Sequence, residues 1–182
     1  MPKTALIVTD MISSYDHPDA EKLVASVEER LPQMVDLVER ATDEGVHIIY
    51  VNDNFGAWNS NREDLVEDAL RSEHKALVEP IAPEHDTSFV VKARHSIFFE
   101  TPLEYLLRED EIERIVLIGQ VTEQCILYSA LDAYIRHFQV VVPPDAVACI
   151  DEDLAKAALR MMELNMDAEI VASGDIDLTP DD

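Results

Sequence analysis

Two hydrophobic periods alternate along the chain. Short apolar, β-branched runs at residues 5–9, 47–51, 88–91, 114–118, 138–142 and 168–172 predict six strands. Between them, apolar positions recur at helical spacing. Leu31, Met34, Val35, Leu37 and Val38 mark one face of a helix over 31–41 that Gly45 closes. Thr101-Pro102-Leu103-Glu104 reads as a capping box with Pro at the first helical position, opening a short helix through Leu107. A further helix spans 123–136, and Asp151 caps another whose packing face is Leu154, Ala158, Met161, Met162 and Leu164. Residues 52–61 form a polar loop, 60–83 carry no readable pattern, and 175–182 read as a frayed tail. Repeated β-α-β order with apolar runs predicts an α/β fold, a parallel sheet covered on both faces by helices.

A chain of 182 residues fits one domain, 1–182, able to bury its core without disulfide or metal staples. Cys125 and Cys149 fall on different elements, so free thiols in a reduced compartment are expected. The first strand begins almost at the initiator Met, and no apolar stretch has the length of a signal segment or membrane span. A cytoplasmic protein is expected.

Charge narrows the partners. Thirty-eight acidic residues against 14 basic ones give a net charge of −24, spread over the whole chain. Such a surface argues against nucleic acid and against an anionic membrane, both of which demand basic residues. With only five lysines and an ordinary apolar content, the charge reads as adaptation of the surface to concentrated salt, a halophilic trait.

Three ionisable residues stand at the carboxyl ends of apolar runs. Cys125 lies in Gly119-Gln120-Val121-Thr122-Glu123-Gln124-Cys125, between the run at 115–118 and a helix, so its thiol falls in a first helical turn. That position favours thiolate and suits a nucleophile; the other reading is a buried core cysteine. Asp10 follows the first strand and Lys92 ends the third. Taken singly, each also reads as a loop cap or a surface residue. In open α/β sheets, ligands collect where these strand ends meet.

Together with Lys92-Ala93-Arg94-His95-Ser96-Ile97-Phe98, Ala130-Leu131-Asp132-Ala133 and Pro144-Asp145-Ala146, in this order, the chain resembles the isochorismatase-like cysteine hydrolases, which include nicotinamidases and carbamoyl-amide hydrolases. The resemblance implies a three-layer α-β-α sandwich around a six-stranded parallel sheet of order 3-2-1-4-5-6, and a homo-oligomer. It also implies an Asp10-Lys92-Cys125 triad that cleaves a small-molecule amide. An oxyanion hole from the backbone N–H groups of Thr122 and Cys125 is implied too, beside a cis peptide at Val121-Thr122. The cysteine argues against vinyl-ether hydrolysis of isochorismate, because relatives with that activity lack it.

Nicotinamidases of this family hold a divalent ion on an Asp-x-His pair with a further His downstream. Here the corresponding stretch is Asn52-Asp53-Asn54-Phe55-Gly56-Ala57-Trp58, where Asp53 remains and both histidines are absent. No metal and no cofactor are expected, and metal-dependent nicotinamide hydrolysis is the second reading. A third, of another class, is a catalytically silent binding module on the same fold. Tyr15, Trp58, His95 and Tyr128 are candidate substrate contacts, and Asp53 either caps a turn or bonds substrate. Phe98 and Phe99 read as core.

The charge yields a first prediction. The thermal midpoint of unfolding rises steadily from dilute buffer to molar KCl as carboxylate repulsion is screened; an unchanged midpoint would contradict the salt adaptation.

Overall fold

The computed structural model describes residues 3–179. The central strand, β1 (Lys3–Thr9), lies between β2 (His47–Asp53) and β4 (Ile112–Gln120), and β3 (Ser88–Lys92) flanks β2. β5 (Gln139–Val142) and β7 (Glu169–Ile170) complete the order β3-β2-β1-β4-β5-β7. All pairings in this series are parallel. This is the expected 3-2-1-4-5-6 arrangement with one addition. A two-residue strand, β6 (Val147–Ala148), pairs with the end of β4 at Gly119 and Gln120, beyond the last β4–β5 pair. Two residues are too few to leave a periodic signal.

Strand alternation divides the core between the two sheet faces. Leu6, Val8, Tyr50, Val116 and Ile118 pack against α1 (Ala20–Asp43), α2 (Arg62–Arg71) and α3 (Lys75–Val78). Ala5, Ile7, Ile49, Ile115 and Leu117 face α4 (Leu103–Glu109), α5 (Leu127–Ile135) and α6 (Glu152–Met166). Helices therefore cover both faces.

Several elements differ from expectation. Helix α1 starts eleven residues before position 31 and runs through Pro32. Its buried stripe of Leu23, Val27, Met34, Leu37 and Ala41 is continuous across the proline, so packing outweighs the single missing N–H. The unpatterned 60–83 stretch holds α2 and α3. Asn61 caps α2 by accepting from the Asp64 N–H at 2.9 Å, and Leu65 and Ala69 bury its one apolar edge. Helix α4 begins at Leu103, one residue late: Thr101 Oγ1 accepts from Leu103 N–H at 3.4 Å, while Glu104 pairs with Arg136 at 2.8 Å instead of folding back. The cap of α6 is as expected, with Asp151 accepting from Asp153 and Leu154 at 3.0 Å each. The tail is not frayed as far as 179: Ile176 and Leu178 are buried against the α1 face, and Arg40 donates to the Ile176 carbonyl at 2.6 Å. Positions 180–182 of that expected tail lie outside the described residues.

Register aligns the strand ends. Thr9 sits opposite Val51 and Gly119, and Asp53 opposite Lys92, so Asp10, Asp53, Lys92 and the chain after Gly119 share one edge of the sheet. Gly119 is held at φ +111°, and a Cβ there would meet the Thr9 carbonyl oxygen at 2.1 Å. Only glycine meets both conditions. Gly119→Ala is expected to lower the unfolding free energy by roughly 3 kcal/mol or more, read by urea denaturation; near wild-type stability would contradict this account of the strand contact.

Candidate active site

Asp10 leaves β1 in a left-handed turn, φ +57°, that directs its carboxyl across the end of the sheet. Its N–H donates to the Val51 carbonyl at 3.0 Å, and its Oδ1 accepts from the Asp53 N–H at 2.7 Å. Gln120 Nε2 donates to the Asp10 carbonyl at 2.6 Å and fixes the turn from β4. Lys92, the last residue of β3, sends a side chain with 0% exposure into this point. Its Nζ lies 2.8 Å from Asp10 Oδ2, 3.6 Å from Asp53 Oδ2 and 3.6 Å from Cys125 Sγ.

Cys125 sits in a wide, π-type turn, Thr122–Ile126, that joins β4 to α5. The Val121 carbonyl caps this turn by accepting from Gln124 and Ile126, and Thr122 Oγ1 donates to the Ala148 carbonyl at 2.9 Å. Glu123 ties the turn to the start of α6 by accepting from the Ile150 and Asp151 N–H groups at 2.9 Å each. The cis peptide is Gln120–Val121, one residue earlier than expected, because β4 pairs through Gln120 and the chain changes direction only beyond it.

The electrostatics follow from burial. Burial pushes the Asp10 carboxyl above its usual range against the pull of Lys92. For Lys92, burial works to lower the pKa, but Asp10, the thiol and Asp53 together outweigh it and hold the ammonium charged. Burial also raises the Cys125 thiol, the Asp10 charge raises it further, and Lys92 opposes both. Cys125 thus rests as a thiol beside Asp10 and an ammonium. This corrects the expectation that a helix start alone would favour thiolate: the turn is 8% exposed at Cys125, and desolvation dominates.

The remaining candidates separate into two groups. His95 Nδ1 lies 3.6 Å from Cys125 Sγ, so His95 borders the thiol, and its ring meets Tyr128 at 5.5 Å. Asp53 accepts from the Phe55 N–H at 2.7 Å as a turn cap and also faces Lys92. Trp58 is 82% exposed on the lip of a cleft of about 470 Å³, which Asn54, Lys92, Arg94, Phe99 and Glu100 also line. Cys125 does not line this cleft; its Sγ adjoins it through Lys92, whose Nζ is 3.6 Å away. Phe98 is core, stacked on Phe138, but Phe99 is exposed on the cleft, contrary to expectation. Tyr15 does not reach this cleft either. It is buried at 3% exposure, with its hydroxyl on Gln120 Oε1 at 3.4 Å and its ring against His74. A left-handed turn at Tyr15 folds the ring under the site instead of beside it.

Two positioning residues escaped the reading of the sequence. Gln120 links the Asp10 carbonyl to Tyr15, and Asn52 accepts from the Ile12 N–H and donates to its carbonyl, each at 3.0 Å, which pins the chain after Asp10. The signal present was a polar amide at the buried end of an apolar strand. A divalent ion does not fit here. Asp53 is committed to Lys92 and Phe55, Asn54 accepts from the Gly56 N–H at 3.0 Å, and among the described residues no group of three or more His, Cys, Asp or Glu is placed to hold a metal.

Comparison with known proteins places this geometry among relatives. A family model described as the isochorismatase domain matches residues 4–174. An uncharacterised isochorismatase family protein of Bacillus subtilis, YaaI, is 32% identical, with 94% of this chain and 95% of the relative covered. Maleamate amidohydrolase of Pseudomonas putida is 27% identical over 86% of this chain and 78% of its own. The solved N-carbamoylsarcosine amidase of Thermoplasma acidophilum superposes with a TM-score of 0.69 at 26% identity, covering 96% of this chain and 99% of that one.

The opposing effects of the two neighbours on the thiol are separable. In a Cys149→Ser background, Asp10→Asn shifts the ultraviolet thiolate titration of Cys125 to lower pH than in the parent, and Lys92→Met shifts it higher. Superimposable titrations would mean that neither charge acts on the sulfur.

Proposed function

The chain belongs to the isochorismatase family, and from that premise we propose that it is a cysteine hydrolase cleaving the C–N bond of a small-molecule amide through a thioester. The observation that carries the reading is the buried Lys92 ammonium, within 2.8 Å of one carboxylate and 3.6 Å of one thiol at the end of the sheet. A fully desolvated ammonium between an acid and a nucleophile has a chemical use, and two relatives, an amidohydrolase and an amidase, support the same bond type.

The proton inventory sets the sequence of steps. Because the thiol rests protonated, attack of Sγ on the amide carbon is coupled to transfer of its proton to Asp10, while Lys92 balances the charge that develops around the sulfur. The tetrahedral oxyanion is received by the backbone N–H groups of Thr122 and Cys125. Collapse breaks the C–N bond, and Asp10 returns its proton to the departing amine, leaving a thioester. Water then adds to the thioester carbon and gives a proton to Asp10. Expulsion of the thiolate, reprotonated from Asp10, releases the carboxylic acid and restores the resting triad. His95 and Tyr128 border the bound acyl group, and Trp58 walls the approach.

The test is ammonia release from a panel of small primary amides in molar KCl. Cys125→Ala abolishes release to below about a thousandth of wild type, and Asp10→Asn lowers it by about 10²–10⁴-fold. The acid limb of kcat/KM lies above the ordinary carboxylate range, since activity needs unprotonated Asp10 and burial raises its pKa from 3.8. Release that persists in Cys125→Ala would sink the proposal, and silence across the panel would favour a binding module.

A further inference from the structure

Arg94 stands apart from the other cations of this chain. Seven of the nine arginines reach a carboxylate within 4.0 Å. Arg62 is spent on the backbone carbonyls of Pro83, Glu84 and His85. Among the described residues, Arg94 donates only to the carbonyl of its own neighbour, Ala93, at 3.2 Å. In a chain with 38 acidic and 14 basic residues, an arginine without a carboxylate partner runs against the odds of its surroundings. Arg94 also lines the cleft that reaches Lys92, two residues beyond it in sequence.

Lys92 cannot supply the missing positive field, because Asp10 and Asp53 already compensate its charge. Any anion entering a protein of net charge −24 meets repulsion everywhere else. The guanidinium is the one uncompensated cation on the cleft wall, and its planar fork matches a carboxylate in two-point geometry. Arg94 and Lys92 line one cleft, so an anion on Arg94 and a carbonyl at the triad can belong to one small molecule. Glu100 lines the same cleft, with no partner among the described residues, and opposes a second negative charge. Trp58 and Phe99 offer flat apolar walls between these poles.

We infer that Arg94 is the specificity residue of this site, and that the substrate is a small amide carrying a single carboxylate, which Arg94 binds while the amide reaches Cys125. The inference rests on the hydrolase reading given above.

The experiment compares succinamate with its neutral methyl ester by ammonia release, at the lowest KCl concentration that keeps the chain folded. Wild type prefers succinamate at least tenfold in kcat/KM. Arg94→Gln reduces that ratio at least tenfold through KM rather than kcat, Arg94→Lys retains part of it, and Arg160→Gln, on the far α6 surface, leaves it as in wild type. The ratio also shrinks as KCl is added, as an exposed ion pair requires. An equal ratio in wild type and Arg94→Gln overturns the inference while leaving the hydrolase intact. If neither probe releases ammonia, the hydrolase reading fails for these amides, and calorimetry on Cys125→Ala decides separately. Succinamate binding that Arg94→Gln weakens at least tenfold upholds the anion site; absent or Arg94-independent binding refutes it.

Discussion

Lys92 carries its ammonium into the protein with no side-chain surface left to solvent. An isolated charge in that position costs several kcal/mol, and the strand ends around it are arranged to offset that cost. Asp10 meets it at 2.8 Å and Asp53 at 3.6 Å, and the backbone N–H of Asp53 returns to Asp10 at 2.7 Å. The three bonds cross β1, β2 and β3, so the ion cluster and the parallel register of those strands specify one another. A slip of one residue would turn Lys92 to the opposite face and leave both carboxylates without their cation.

The same cluster decides how the thiol behaves. A cysteine beside a lone lysine would ionise easily, but here the lysine is already claimed by two carboxylates, and one of them lies against the sulfur. Cys125 therefore rests as a thiol, and in the proposed reaction its proton passes to Asp10. Reactivity then depends on a carbonyl arriving, since only bond formation at carbon makes loss of the S–H proton favourable. Such an arrangement protects a buried thiol from indiscriminate alkylation and oxidation, which a free thiolate would invite.

The fold was legible wherever burial imposes a period. Residues 5–8 and 115–118 are apolar at every position because both sheet faces are covered, and that is what a central parallel strand requires. Legibility failed where a single contact replaces a pattern. Pro32 interrupts local propensity but not the buried stripe of α1, and β6 consists of two residues that only their partner Gln120 reveals. At the site, the three charged or nucleophilic residues were visible because each ends an apolar run. The direction of the Tyr15 ring was not legible, because the turn after Asp10 has two left-handed residues, Asp10 and Tyr15, and no sequence period encodes where such a turn sends its side chains. Asn52 and Gln120 act through paired hydrogen bonds between distant segments, a relation that exists only after the strands have aligned.

The surface charge and the site pull in opposite directions, and the cleft shows how they are reconciled. Thirty-eight carboxylates make the exterior repel anions at long range, yet within a Debye length of a cleft the few nearest charges dominate the field. In concentrated salt that length is about 3 Å, so the distant carboxylates lose their influence first, and a guanidinium in direct contact with ligand, though weakened itself, acts without their opposition. A protein adapted to salt can therefore carry a uniformly acidic exterior and still select a small anion. The requirement is one cation left unpaired at the mouth, and in this chain Arg94 meets it, because nearly every other arginine is held by a carboxylate of its own.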